Sequence, residues 1–104
     1  MEDDGYTVTD NPDEHRYEIR GDGAPAGVAE YILTGGVMVF THTQVGSPFA
    51  GRGLGSRLVR GALDDVRARN LRVIPVCPYV KGWIGRHPDY ADLLYDAPAS
   101  EVHD

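Results

Sequence analysis

A chain of 104 residues, 41% hydrophobic and 25% charged, has material for one hydrophobic core and not for two. No apolar run approaches the ~20 residues of a membrane-spanning helix, and a net charge of −6 works against nucleic acid phosphates, so neither membrane nor nucleic acid is an expected partner. A lone cysteine, Cys77, excludes an internal disulfide and a cysteine-only zinc site; His15, His42, His87 and His103 lack metal-ligand spacing, so no metal is expected.

The N-terminus, Met1-Glu2-Asp3-Asp4, is acidic and unlike a signal peptide, which makes the cytoplasm the expected compartment. Residues 1–14 include the turn-like Asn11-Pro12-Asp13 and read as a flexible tail or a weak edge strand. Residues 15–20 alternate, with Tyr17 and Ile19 on one side, and predict a strand. Gly21-Asp22-Gly23 supplies a turn, and Pro25 disfavours regular strand at that point. Residues 27–34 predict a second strand, Gly35-Gly36 a return, and residues 37–45 a third, apolar on both faces at its start and therefore central. On this alternation His42 shares a side with Met38, Phe40 and Gln44.

The period then changes. Leu54, Leu58, Val59, Ala62, Leu63 and Val66 form one helical stripe, which predicts a helix over 54–69 with Asn70 as its C-terminal cap. Residues 71–77 read as a strand that Pro75 confines to an edge or interrupts. Pro78 opens a short helix over about 79–86, and Pro88 a last helical segment before an acidic, flexible tail at 96–104. One domain over 1–104 is predicted, of α/β (α+β) class: a mostly antiparallel sheet, one parallel strand after a central helix, and short C-terminal helices.

The stretch with the most chemistry is Gly51-Arg52-Gly53-Leu54-Gly55-Ser56, between a buried strand and an amphipathic helix. The first N–H groups of a helix have no partner within it, and the helix dipole makes that end attractive to anions. Glycines let phosphate oxygens reach the backbone, and Arg52 can add a charge-assisted hydrogen bond. There is no lysine for a Walker loop, and an antiparallel meander in place of a βαβ unit argues against a dinucleotide site. A tight turn with no ligand is the plain alternative.

Thr41-His-Thr-Gln-Val, the glycine loop from Gly51 to Val59, Val76-Cys-Pro-Tyr-Val and Ile84-Gly-Arg-His-Pro-Asp-Tyr together resemble the short, GNAT-like N-acetyltransferase family, over roughly residues 15–94. The resemblance implies a minimal GNAT-like fold and binding of acetyl-CoA (coenzyme A carrying an acetyl thioester). It implies that the pyrophosphate lies on the loop and the pantetheine arm between the strands at 37–45 and 71–77. Gly51, Gly53 and Gly55 match the loop glycines, and the expected cofactor-binding residues are Thr43, Val45, Gly51, Arg52, Gly53, Leu54, Gly55, Ser56, Cys77, Pro78 and Lys81, with a solvated lysine the plain alternative for Lys81. Two departures stand out: Ala50 occupies a position that is usually Arg or Gln, and the C-terminal strands and tyrosine acid of full-length members have no counterpart here.

Cys77 and His42 are the candidate catalytic residues: a thiol at the expected thioester and an imidazole on the central strand. The plain alternatives are a pocket-wall cysteine and a histidine satisfied by hydrogen bonds. His87 reads as a cap, and Tyr79 and Trp83 pack either in the core or over the cofactor. The expected function is acetyl transfer to a small-molecule or peptide amine by a monomer or weak homodimer. The alternatives are a non-catalytic coenzyme A-binding or acetyl-sensing module and an interaction domain that binds no cofactor.

Overall fold

A computed structural model describes residues 5–21, 23–46 and 53–95. One sheet runs in the order β1 (Thr7–Asn11), β2 (Arg16–Arg20), β3 (Pro25–Thr34), β4 (Val37–Val45) and β5 (Arg72–Pro75). The first four strands pair antiparallel; β5 follows helix α1 (Leu54–Ala68) and pairs parallel with β4. Helix α2 (Pro78–Arg86) and a 3-10 segment, Pro88–Leu93, complete the chain order. This is the α+β architecture that the change of period predicts.

The two-residue turn Gly35-Gly36 has φ of +57° and +79°, the pair of positive values that a twisted hairpin asks for. Tyr17 and Ile19 of β2 and Met38 and Phe40 of β4 are buried together with Leu58, Val59, Ala62, Leu63 and Val66 of α1. The stripe read from the sequence is thus the buried one. The helix ends with Asn70 at φ +58°, while the Leu71 N–H donates to the Val66 carbonyl at 3.0 Å and the Asn70 N–H to Arg67 at 3.1 Å. That double bond pattern makes Asn70 the left-handed residue of a Schellman cap.

Of the two readings of residues 1–14, a tail or a weak edge strand, the described part is an edge strand, Thr7–Asn11: Val8 faces Ile19 and packs on the core, and Asp10 accepts the Tyr31 hydroxyl at 2.5 Å. Two boundaries differ from the sequence reading. Strand β3 starts at Pro25 and not at residue 27, because the first residue of a strand can lack an N–H. Strand β5 spans only Arg72–Pro75 and not residues 71–77: it lies at the end of the strand order, and pairing with β4 stops at Phe40↔Pro75.

A third difference matters more for the site. Opposite β3, Glu30 pairs with His42 but Tyr31 pairs with Phe40, so Thr41 is an extra residue in β4. This bulge reverses the side-chain alternation beyond it. Phe40 is buried, Thr43 and Val45 are half-buried, and His42 and Gln44 are exposed. The grouping of His42 and Gln44 with Met38 and Phe40 is therefore corrected.

The face of the sheet away from α1 carries a buried ion cluster. Glu18 is 2% exposed and accepts hydrogen bonds from Arg16 Nε (2.8 Å), Arg20 Nε (2.9 Å) and Asn11 Nδ2 (3.0 Å). Burial pushes its carboxyl up, but the Arg16, Asn11 and Arg20 hydrogen bonds outweigh that and hold it at about 2, below the usual 4.5. A depressed carboxylate contributes stability that is complete above about pH 4.5 and is lost as pH falls towards 2. Glu18→Gln is expected to cost about 2 kcal/mol at neutral pH, the worth of hydrogen bonds to a charged group. It should also flatten the stability profile between pH 4.5 and 2, read by urea unfolding across that range.

Candidate active site

The start of α1 carries no cap of its own. Gly53 is the N-cap residue, at φ +72° and ψ +14°, with no side-chain hydrogen bond to the helix and no acid in the first turn. Leu54 anchors this end in the core at 2% exposure. The open N–H groups of the first turn, without a neighbouring carboxylate, suit an anion. Of the loop residues in the sequence reading, Gly51 and Arg52, like Ala50 before them, lie outside the described residues.

The next two loop positions are fixed by α2. A Cβ at Gly55 would lie 2.8 Å from the Tyr79 hydroxyl and 3.5 Å from Val45 Cγ2, so glycine lets the tyrosine cross the first turn. The Ser56 hydroxyl accepts the Trp83 indole N–H at 2.8 Å. Trp83 is fully buried, stacked on His87 at 3.8 Å with 14° between the planes, and Arg60 lies 5.3 Å from its centroid. Trp83 therefore belongs to the core, whereas Tyr79, 41% exposed, stands at the mouth of the site. The His87 Nδ1 donates to the Trp83 carbonyl at 2.7 Å, capping one of the last carbonyls of α2.

Beyond Phe40 the sheet opens. The Cys77 N–H still donates to the Phe40 carbonyl at 2.9 Å, but β4 continues to Val45 with no described strand on its β5 side. Cys77, 4% exposed, is the N-cap residue of α2, and its Sγ lies 3.4 Å from the Thr43 hydroxyl. Pro78 takes the first helical turn, where a missing N–H costs nothing, and the Lys81 N–H closes that turn on the Cys77 carbonyl at 3.0 Å. The Lys81 side chain is exposed on α2.

Thus Thr43, Val45, Gly55, Cys77 and Tyr79 gather around one groove, bounded by the α1 N-terminus and the gap between β4 and β5. His42 is apart from them: turned outward by the bulge, its Nε2 is 3.3 Å from Gln44 Oε1. Sequence reasoning missed the Trp83–Ser56 bond and the Thr43–Cys77 contact, both of which join elements distant in the chain.

The model of the GCN5-related N-acetyltransferase family matches residues 16–93, three quarters of the chain. The chain belongs to the GCN5-related N-acetyltransferase family. The match takes in every strand but β1, both helices and the groove between them. No curated protein matches the chain significantly. Two solved structures share the family's fold with it. The NMR solution structure of a GCN5-like protein from Staphylococcus aureus superposes with a TM-score of 0.66 at 18% identity, covering 97% of this chain and 99% of that one. The crystal structure of the ribosomal-protein-S18-alanine N-acetyltransferase from Escherichia coli gives a TM-score of 0.54 at 15% identity, covering 71% of this chain and 43% of that one. Among the described residues of this family member, no helix is long and apolar enough to cross a membrane.

Proposed function

We propose that the chain binds acetyl-CoA in this groove and transfers the acetyl group to an amine. The observation that carries the reading is the meeting, at one groove, of an uncapped helix N-terminus with Thr43 and Cys77, 3.4 Å apart where β4 and β5 separate. The residues fit such a ligand at both ends. The first-turn N–H groups of α1 suit its phosphates, and the space at Gly53, where a Cβ would meet nothing within 4 Å, leaves the backbone approachable. The cofactor supplies an acetyl group already activated as a thioester.

The protein's own part is to bind and orient. Val45 and Tyr79 wall the middle of the groove, and Thr43 holds the Cys77 sulfur. We assign Cys77 to the pocket wall, because it is buried and its described partner is a hydroxyl and not a base. His42, exposed on the other side of β4, is not assigned as the base of this site.

Incubation with isotopically labelled acetyl-CoA and a panel of amines and peptides tests the transfer. Label must appear on an amine; binding without turnover would leave a coenzyme A-binding module, and no binding at all would remove the reading. Cys77→Ala is expected to bind coenzyme A within about threefold of wild type, since the phosphate contacts lie on α1. It should also keep transfer activity. An added mass of one acetyl group on the wild-type protein, absent from Cys77→Ser, would show instead that the thiol carries the acetyl group.

A further inference from the structure

We propose that the Tyr79 hydroxyl donates a hydrogen bond to a phosphate oxygen of the bound coenzyme A, and that position 55 is glycine to let it do so. This role rests on the coenzyme A reading above; the donor itself stands outside the loop, on α2.

Its placement follows from how α2 is held. Tyr79 and Trp83 are four residues apart and share one face of the helix. Trp83 is the fixed member of the pair: it is fully buried, and its indole N–H donates to the Ser56 hydroxyl at 2.8 Å. One turn earlier, Tyr79 reaches the residue before Ser56. Its hydroxyl oxygen lies 2.8 Å, and its Cζ 3.2 Å, from where a Cβ on Gly55 would be. The phenol thus crosses the first turn of α1 at a distance that a side chain at 55 would deny it.

That turn is where the unpaired donors are. The Arg57 N–H is the first to close on the helix, at 3.2 Å from the Gly53 carbonyl. The N–H groups of Leu54, Gly55 and Ser56 come before it and have no acceptor within α1. Tyr79 brings a side-chain donor to the same end.

The hydroxyl is available for this. Tyrosines of the core commit theirs to carboxylates: Tyr17 donates to Asp65 at 2.6 Å, Tyr31 to Asp10 at 2.5 Å and Tyr90 to Asp64 at 2.7 Å. Tyr79 has no such acceptor among the described residues. Tyr95 is similarly exposed, but it stands beside β5, where its N–H donates to the Val73 carbonyl, and not at a helix start. What distinguishes Tyr79 is position: a phenol O–H held at the positive end of a helix suits an anion with oxygens to spare, and its bond to a charged oxygen is of the strong kind.

Calorimetric titration with coenzyme A, and amide chemical-shift titration with pantetheine, which lacks the phosphates, test the assignment on variants shown by their melting curves to be folded. Tyr79→Phe keeps the ring and should bind coenzyme A about tenfold more weakly, while its response to pantetheine stays that of wild type. Gly55→Ala should also weaken coenzyme A binding, because the new Cβ pushes the flexible end of the tyrosine aside. In a Tyr79→Ala background the same Gly55→Ala change should have no further effect. A Tyr79→Phe protein that binds coenzyme A as tightly as wild type would leave the ring as a wall and overturn the proposal. Equal losses for coenzyme A and pantetheine would overturn it too, since they mark a packing effect. So would a Gly55→Ala change that weakens binding as much without Tyr79, which would put the methyl group itself in the path of the phosphate. Wild-type protein that binds no coenzyme A would instead remove the coenzyme A reading, and this role with it.

Discussion

Trp83→Ala is expected to lower stability by about 3–5 kcal/mol, the range for emptying a buried aromatic site. Domains of this size hold only about 5–15 kcal/mol in total, so the variant should be partly unfolded at 37 °C. The ring is fully buried and is the hub between α1, α2 and the last 3-10 segment. It donates to Ser56, stacks on His87, meets Tyr90 edge-on at 5.0 Å, and lies under the Arg60 guanidinium. Trp83→Phe keeps most of the packing and loses the bond to Ser56, at a cost of about 1 kcal/mol. Thermal and urea unfolding of the two variants separate the packing contribution from the hydrogen bond. A Trp83→Ala protein as stable as wild type would show that α2 is not held through this ring.

Gly53→Val should reduce coenzyme A affinity by at least about tenfold, through two effects with one origin. At φ +72° a β-branched side chain is strained, so the start of α1 must change shape to accept valine. The new methyl groups would also fill the open space through which an anion approaches the first-turn N–H groups. The backbone strain costs of order 1–3 kcal/mol of stability, which a stable domain survives. Calorimetric titration with coenzyme A, alongside a melting curve to show that the variant is folded, is the measurement. Unchanged affinity in a folded variant would take this helix end out of the binding site.

Much of this architecture was legible from periodicity. The six apolar residues of the α1 stripe are the six that the structure buries, and Asn70 caps the helix it was expected to cap. Glycine pairs and prolines marked most of the turns. What escaped the reading depends on contacts across the chain. Nothing in Thr7-Val8-Thr9 shows that Val8 packs on the core, since a short polar-apolar alternation also suits a tail. Glu18 sits in a strand next to two arginines, a pattern that reads as a solvated face; its burial follows only from how those side chains and Asn11 close over it.

The candidate site was legible in part. Cys77 and Thr43 were both named, from strands separated by the whole of α1, and they meet at 3.4 Å. The side of β4 that His42 and Gln44 occupy was not legible, for a geometric reason: no residue in Val37-Met-Val-Phe-Thr-His-Thr-Gln-Val announces an insertion, because threonine is as acceptable in a bulge as in a regular strand.

That single extra residue divides β4 into two stretches of opposite parity. Up to Phe40 the even-numbered positions look towards α1; beyond Thr41 the odd-numbered ones do. Shortening the strand by one residue at this point would turn His42 and Gln44 into the core and carry Thr43 away from Cys77, with no change in the composition of either stretch. When this strand is aligned with that of a distant relative, a gap misplaced by one position would exchange groove-lining residues for solvent-facing ones throughout its second half. Chain length between Phe40 and Thr43 is therefore as much a determinant of the groove as the side chains that line it.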